Sequence, residues 1–150
     1  MTTANSLATL GNGPAFGVYL NTNQTVTSGV LTKVTVNTEL FDTNNCFDNA
    51  TNYRFTPTVA GYYQVNGSIG LGSGSISRML VDIYKNGGEY LRGTDMVVSF
   101  ANSVTTSCVV YMNGTTYYLE LYGLLTGSGT LQIIGNQVLT QFSGCLMRGA

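Results

Sequence analysis

The side chains able to do chemistry are few and scattered. The chain of 150 residues has seven carboxylates, Glu39, Asp42, Asp48, Asp82, Glu89, Asp95 and Glu120, and no histidine. Without histidine, Ser-His-Asp and Cys-His catalysis fall away, as does the commonest transition-metal ligand. Glycoside hydrolysis asks for two acids roughly 5–10 Å apart in unlike environments. Nothing in the spacing of these seven singles out such a pair. Asp82 and Glu120 fall within strand-like runs, opposite apolar neighbours, and are expected to face solvent or an interface. Asp42, Asn44, Asn45 and Asp48 could offer oxygens to Ca²⁺, but their spacing matches no established calcium loop. A solvated polar loop is the simpler reading. No nucleophile elbow, Walker loop or HExxH motif occurs. The glycine runs at 70–74 and 127–129 open no helix, so they read as turns rather than phosphate cradles. No catalytic, cofactor-binding or metal-binding residue is assigned, and the chain is not expected to be an enzyme.

Charge is scarce: 9% of residues, with a net charge of −1. The bases Lys33, Arg54, Arg78, Lys85, Arg92 and Arg148 form no cluster, which argues against nucleic acid, where phosphate contacts need one. Ser, Thr and Asn make up close to a third of the chain. They carry its solubility, as in β-proteins that serve as assembly units or adhesins. No run of about 18 apolar residues is available to span a bilayer, and Met1 to Gly13 has no pattern of a secretory signal. Cys46, Cys108 and Cys145 are odd in number and lack a CxxC, so three reduced thiols is the favoured reading over a Cys108–Cys145 or inter-subunit bond. Four N-x-(Ser/Thr) sequons are about what this composition yields by chance.

The elements that would hold these residues are strands throughout. Tyr63, Val65, Gly67, Ile69 and Leu71 alternate with Tyr62, Gln64, Asn66 and Ser68, the period of a half-buried strand. Further strands are read over 14–20, 30–36, 53–57, 79–83, 90–100, 104–112, 116–125, 131–134 and 138–147. Residues 41–52 read as a loop and 70–75 as a flexible Gly/Ser connection. Lys85-Asn-Gly-Gly88 reads as a hairpin turn, since Asn-Gly tolerates the positive φ it requires, and Asn113-Gly114 as a second. No segment shows helical period. About ten short strands with turns every 8–12 residues signal a sandwich or barrel. One domain is expected over 14–150, preceded by an arm over 1–13.

The block Tyr53-Arg-Phe-Thr-Pro-Thr-Val-Ala-Gly-Tyr-Tyr-Gln-Val65 resembles the central signature of the C1q/TNF family. Pro14-Ala-Phe16 is similar to that family's first strand, Tyr84-Lys-Asn-Gly87 to its mid-domain turn, and Phe142-Ser-Gly-Cys-Leu146 to its closing strand. The likeness covers about residues 14–148. Asn52-Tyr-Arg-Phe-Thr-Pro57 and Tyr118-Leu-Glu-Leu-Tyr-Gly123 resemble C1q-like modules of bacteriophage fibres and virion appendages more than secreted animal members. The resemblance implies an all-β, ten-stranded jelly-roll sandwich that assembles as a homotrimer. Phe55, Gly61, Tyr63, Val65, Phe142 and Leu146 are expected in its core. Gly61 is expected to need a positive φ, so that valine there would abolish assembly. Ten Tyr and six Phe are more aromatic surface than a lone sandwich of this size needs. Where two are adjacent, one ring must leave the core and can meet a partner. Tyr62, Tyr117, Tyr118 and Tyr122 are the candidate trimer-interface residues.

Function is then expected to be structural, on a virion surface and assembled in the host cytoplasm. The module would decorate a capsid or form the knob of a head or tail fibre, touching other virion proteins. Attachment to a host glycan or outer-membrane protein would fall to loops such as 41–52 and 92–103. The absence of a shaft on this chain favours decoration or a short appendage. No nucleic acid, cofactor or membrane insertion is expected. Two other readings stand beside it: a secreted C1q/TNF-like receptor-binding ligand, and a polysaccharide-degrading appendage enzyme.

Overall fold

A computed structural model of the chain describes residues 13–97 and 102–150. Most of the arm expected over 1–13, and the centre of the 92–103 loop, lie outside the described residues. Eleven strand segments are present among those described. They are β1 (Ala15–Tyr19), β2 (Gln24–Thr25), β3 (Thr32–Lys33), β4 (Thr38–Asp42), β5 (Phe47–Asp48) and β6 (Arg54–Phe55). There follow β7 (Ala60–Lys85), β8 (Gly88–Met96), β9 (Ser103–Asn113), β10 (Leu119–Ile133) and β11 (Gln141–Gly149). Every pairing is antiparallel. A first sheet runs β4-β1-β11-β7-β9. A second runs β5-β6-β10-β7-β8, with β2 and β3 also on β10.

The alternation read from the sequence sets the inward face of β7: Tyr63, Val65 and Ile69 are fully buried while Tyr62 and Asn66 are exposed. The two sheets meet around an aromatic centre. Phe16 of the first sheet stacks on Phe55 of the second at 4.2 Å, and Phe142 meets Phe16 edge-on at 5.0 Å. Tyr63 packs edge-on to Phe55 at 5.5 Å and donates its hydroxyl to the Val59 carbonyl at 2.8 Å. Such offset and edge geometries are the preferred ones for rings, and each pair adds about 0.5–1.5 kcal/mol beyond area burial.

Several expectations are corrected. Residues 70–75 are not a flexible connection: β7 passes straight through them, leaving the first sheet at Gly70 and joining the second at Leu71. Within this stretch Gly74 takes φ +100°, which a side chain would disfavour. Gly127-Ser-Gly129 is likewise no turn, since β10 is continuous and pairs Gly127 with Ile76 and Ser128 with Ser75. Asn113-Gly114 does not close a hairpin. It carries the chain from β9 in one sheet to β10 in the other, with Asn113 Oδ1 accepting from the Thr115, Thr116 and Tyr117 amides. The other Asn-Gly turn joins β7 to β8 as read, with Asn86 and Gly87 both at positive φ. Residues 41–52 contain the end of β4 and all of β5. The strand read over 30–36 pairs only at Thr32–Lys33, and β11 starts at Gln141 rather than 138.

Gly61 is buried, but not for the reason expected: it is not among the positive-φ glycines. A Cβ there would come within 2.4 Å of the Arg148 carbonyl and 2.7 Å of Leu146 Cδ1. The close approach of β11, not the turn, demands glycine.

Candidate functional site

Each sheet turns one side to the core and the other outward, and the two outward sides differ sharply. Among the described residues the strands of the first sheet, with β7 counted as far as Gly70, carry three charged side chains, Glu39 and Asp42 on the edge strand β4 and Arg148 on β11. At one end stand Tyr62 and Tyr111, cross-strand partners with ring centroids 5.5 Å apart. Val109, Cys145 and Met147 are exposed beside them, and Phe41 lies over Gly17. Exposed apolar side chains gathered on one face, rather than scattered, mark a partner surface. Further along the same face the side chains are amides and hydroxyls that bind one another. Gln64 Nε2 donates to Ser107 Oγ at 2.8 Å, and Ser107 Oγ donates to Asn66 Oδ1 at 2.9 Å. Polar groups already paired within the chain lose less on leaving water.

The outward side of the second sheet gathers the charge. Lys33, Arg54, Arg78 and Arg92 lie there with Asp82, Glu89, Asp95 and Glu120. Arg78 grips Asp95 through two bonds at 2.6 and 2.7 Å. Arg92 reaches Glu89 at 3.0 Å and Asp82 at 3.6 Å. Lys33 pairs with Glu120, and the Arg54 guanidinium sits 4.4 Å over the Tyr118 ring. The Tyr84 and Tyr122 rings stack at 3.9 Å.

Asp82 and Glu120 were expected to face solvent or an interface, and this is corrected: both are buried. Long neighbours on the same sheet face, Tyr84, Tyr122, Arg92 and Lys33, lie over them. Neither Asp82 oxygen has a hydrogen-bond partner. Burial pushes its carboxyl above the usual range, only partly opposed by Arg92.

Among the expected interface tyrosines, only Tyr62 stands on the outward face of the first sheet. Tyr117 packs against the core and under the Lys85 ammonium, 4.5 Å away. Tyr118 and Tyr122 belong to the charged side of the other sheet. Two adjacent tyrosines before a strand cannot be phased against the sandwich by local pattern, and Tyr117 and Tyr118 both end half-buried. Tyr111, Val109 and Phe41 are the outward residues that sequence reasoning missed. The regular alternation of β9 was the available signal for the first two. The six expected core residues, Phe55, Gly61, Tyr63, Val65, Phe142 and Leu146, are buried.

The 41–52 segment spends its carboxylates on its own backbone. Asp42 accepts from the Phe47 amide at 2.7 Å, and Asp48 from Thr51 and Ala50 and from the Asn52 side chain. The Thr51 amide bond foremost holds Asp48 down at about 2. A cleft of about 470 Å³ opens beside this segment between Asn45, Asp48, Asn49 and Arg54. Cys145 lies on the outward side of the first sheet, whereas Cys108 packs against the core, where burial raises its thiol. Their strands flank β7 from opposite sides, so a bond between them is ruled out.

Two five-stranded antiparallel sheets that share β7, with short β2 and β3 also paired to β10 in the second, make this a TNF-like jelly roll. Solved structures with the same architecture include murine APRIL, with a TM-score of 0.65 at 8% identity over 89% of this chain and 98% of that one. Eiger TNF from S. frugiperda gives 0.64 at 10% identity, covering 92% and 95%. PRD1 vertex protein P5 gives 0.61 at 12% identity, covering 92% and 99%. No protein-family model and no curated protein matches the sequence. Identities this low establish a shared fold and leave function to the faces of this chain.

Proposed function

We propose that the chain is a non-enzymatic structural protein of a bacteriophage virion. Three copies close into a trimer that decorates the capsid or tips a head or tail fibre, set among other virion proteins. The observation that carries this is the segregation of charge. One sheet face is apolar, aromatic and internally hydrogen-bonded, while the opposite one holds nearly all the ion pairs. A chain with 9% charged residues that places them so unevenly has one side suited to burial against copies of itself and one suited to water. Aromatic enrichment with depletion of charge is the compositional mark of interface cores. The fold shared with a phage vertex protein supports the virion setting. Loops at the ends of the sandwich, including 41–52, would then meet host glycans or outer-membrane proteins, with three equal sites gaining by avidity.

Light scattering on the purified protein tests the assembly. Closed threefold symmetry requires about 48 kDa, three times the 16.0 kDa chain. A species that stays at chain mass at high concentration would remove the trimer and the avidity with it. Gold-labelled antibody against the chain should decorate intact particles, and unlabelled particles from a producing host would remove the virion location.

A further inference from the structure

Thirteen charged side chains are present, and eleven have a partner within the chain. The ion pairs above take up seven of them, and Arg54 stacks on Tyr118. Asp42 and Asp48 accept backbone amides, and Lys85 donates to the Tyr111 carbonyl at 2.7 Å. Glu39 and Arg148 remain. Both are exposed, and among the described residues neither has an ion pair or a side-chain hydrogen bond. One is an acid and the other a base.

They sit on the same sheet, Glu39 on the edge strand β4 and Arg148 two strands away on the central strand β11. Glu39 lies on the edge strand β4, followed by Leu40 and Phe41, which are 45% and 50% exposed. The register of β4 on β1 shifts there, so Leu40 is the extra residue of a bulge. Bulges push side chains out of the regular pleat. Arg148 pairs in register with Tyr62 on β7, Tyr62 with Tyr111 on the far edge strand β9, and the three line a cleft of about 560 Å³. An exposed Glu39-Leu40-Phe41 segment thus stands at the β4 edge, and a cleft of two tyrosines and a guanidinium opens across β11, β7 and β9.

A threefold ring uses heterologous contacts, in which one patch of each copy meets a different patch of the next. We infer that the Glu39-Leu40-Phe41 edge of one copy docks in the Tyr62–Tyr111–Arg148 cleft of its neighbour, with Glu39 as the counter-ion of Arg148. The occupant of the cleft is a second copy of this chain. This pairing rests on the trimer proposed above and adds which residues meet.

Charge reversal tests it by sedimentation velocity across a dilution series. Glu39→Arg and Arg148→Glu each place like charges together, and each should weaken association by more than about tenfold. The double variant restores opposite charges and should return to within about threefold of wild type, since the coupling of a true pair survives exchange of its members. Both side chains lack partners among the described residues, so the variants should keep the wild-type circular dichroism. Glu39→Gln and Arg148→Gln, which cannot clash, should weaken association in the same direction. A wild-type trimer indifferent to the single reversals, or a double variant as weak as the singles combined, removes this pairing and leaves the trimer standing. A wild-type monomer removes both.

Discussion

Replacing Asp82 with leucine should stabilise the protein. The carboxylate is fully buried on the outward side of the second sheet, and neither oxygen accepts a hydrogen bond. A buried acceptor without a partner costs about 1–3 kcal/mol. Against that stands Arg92, whose Nε lies 3.6 Å away on a side chain that is 44% exposed. Ion pairs with so exposed a partner return only about 0–1 kcal/mol. Removing the acid does not strand the base, because Arg92 keeps Glu89 at 3.0 Å. The new side chain would join Leu80 and Leu124, which face each other in register on the same face and are already buried. The balance favours leucine by about 1 kcal/mol, or about 2–4 °C in Tm for a chain of this size. Association raises the midpoint, so the assay is thermal melting at one fixed protein concentration. Asp82→Asn keeps the shape and loses the charge but leaves an unpaired amide, and should gain less. The pH dependence carries the same reasoning. The folded carboxyl titrates above its unfolded value of 3.8, so its contribution is fully present below that value and lost as pH rises through the folded one. Mild acidification should therefore narrow the gap between wild type and Asp82→Leu. If both variants lose more than about 1 kcal/mol, the carboxylate is a net stabiliser and the reasoning fails.

Two further substitutions probe the sandwich itself. Gly61→Val should prevent folding, since even a Cβ would meet the Arg148 carbonyl at 2.4 Å. Soluble protein with wild-type circular dichroism would show that β11 can move aside. Phe16→Ala removes the ring that touches Phe47, Phe55 and Phe142. It should cost about 3–5 kcal/mol by denaturant titration, and a loss under about 1 kcal/mol would mean the centre collapses to fill the gap.

The strand-by-strand character of this chain was plain in its residues because period-2 alternation is written directly in Tyr63, Val65 and Ile69. The phase of that alternation also separated inward Tyr63 from outward Tyr62. What misled was glycine. The runs around Gly72, Gly74, Gly127 and Gly129 have turn composition, yet they lie opposite one another and pair, and a ladder between two distant segments is invisible to local rules. Asn113-Gly114 failed in the other direction: its turn geometry is right, but whether a turn folds a strand back on its neighbour or carries it to another sheet depends on the layers it joins. The outward face was legible only in part. Tyr62 could be placed on it, whereas Tyr118 and Tyr122 required knowing that β10 belongs to the second sheet. Asp82 and Glu120 show the commonest limit of pattern reading, since an outward side chain can still be covered by longer neighbours on its own face.

The 26-residue β7 belongs to both layers at once. Because of it the two halves of the sandwich are not merely pressed together but threaded by one length of backbone, with amide ladders on both of its flanks. A pull applied to either layer is passed to the other along covalent bonds, and neither can peel away while the thread holds its place in both. That makes shear between the layers the hardest way to break the sandwich, and fraying at β4, β5 and β8, which lie outside the thread, the easiest.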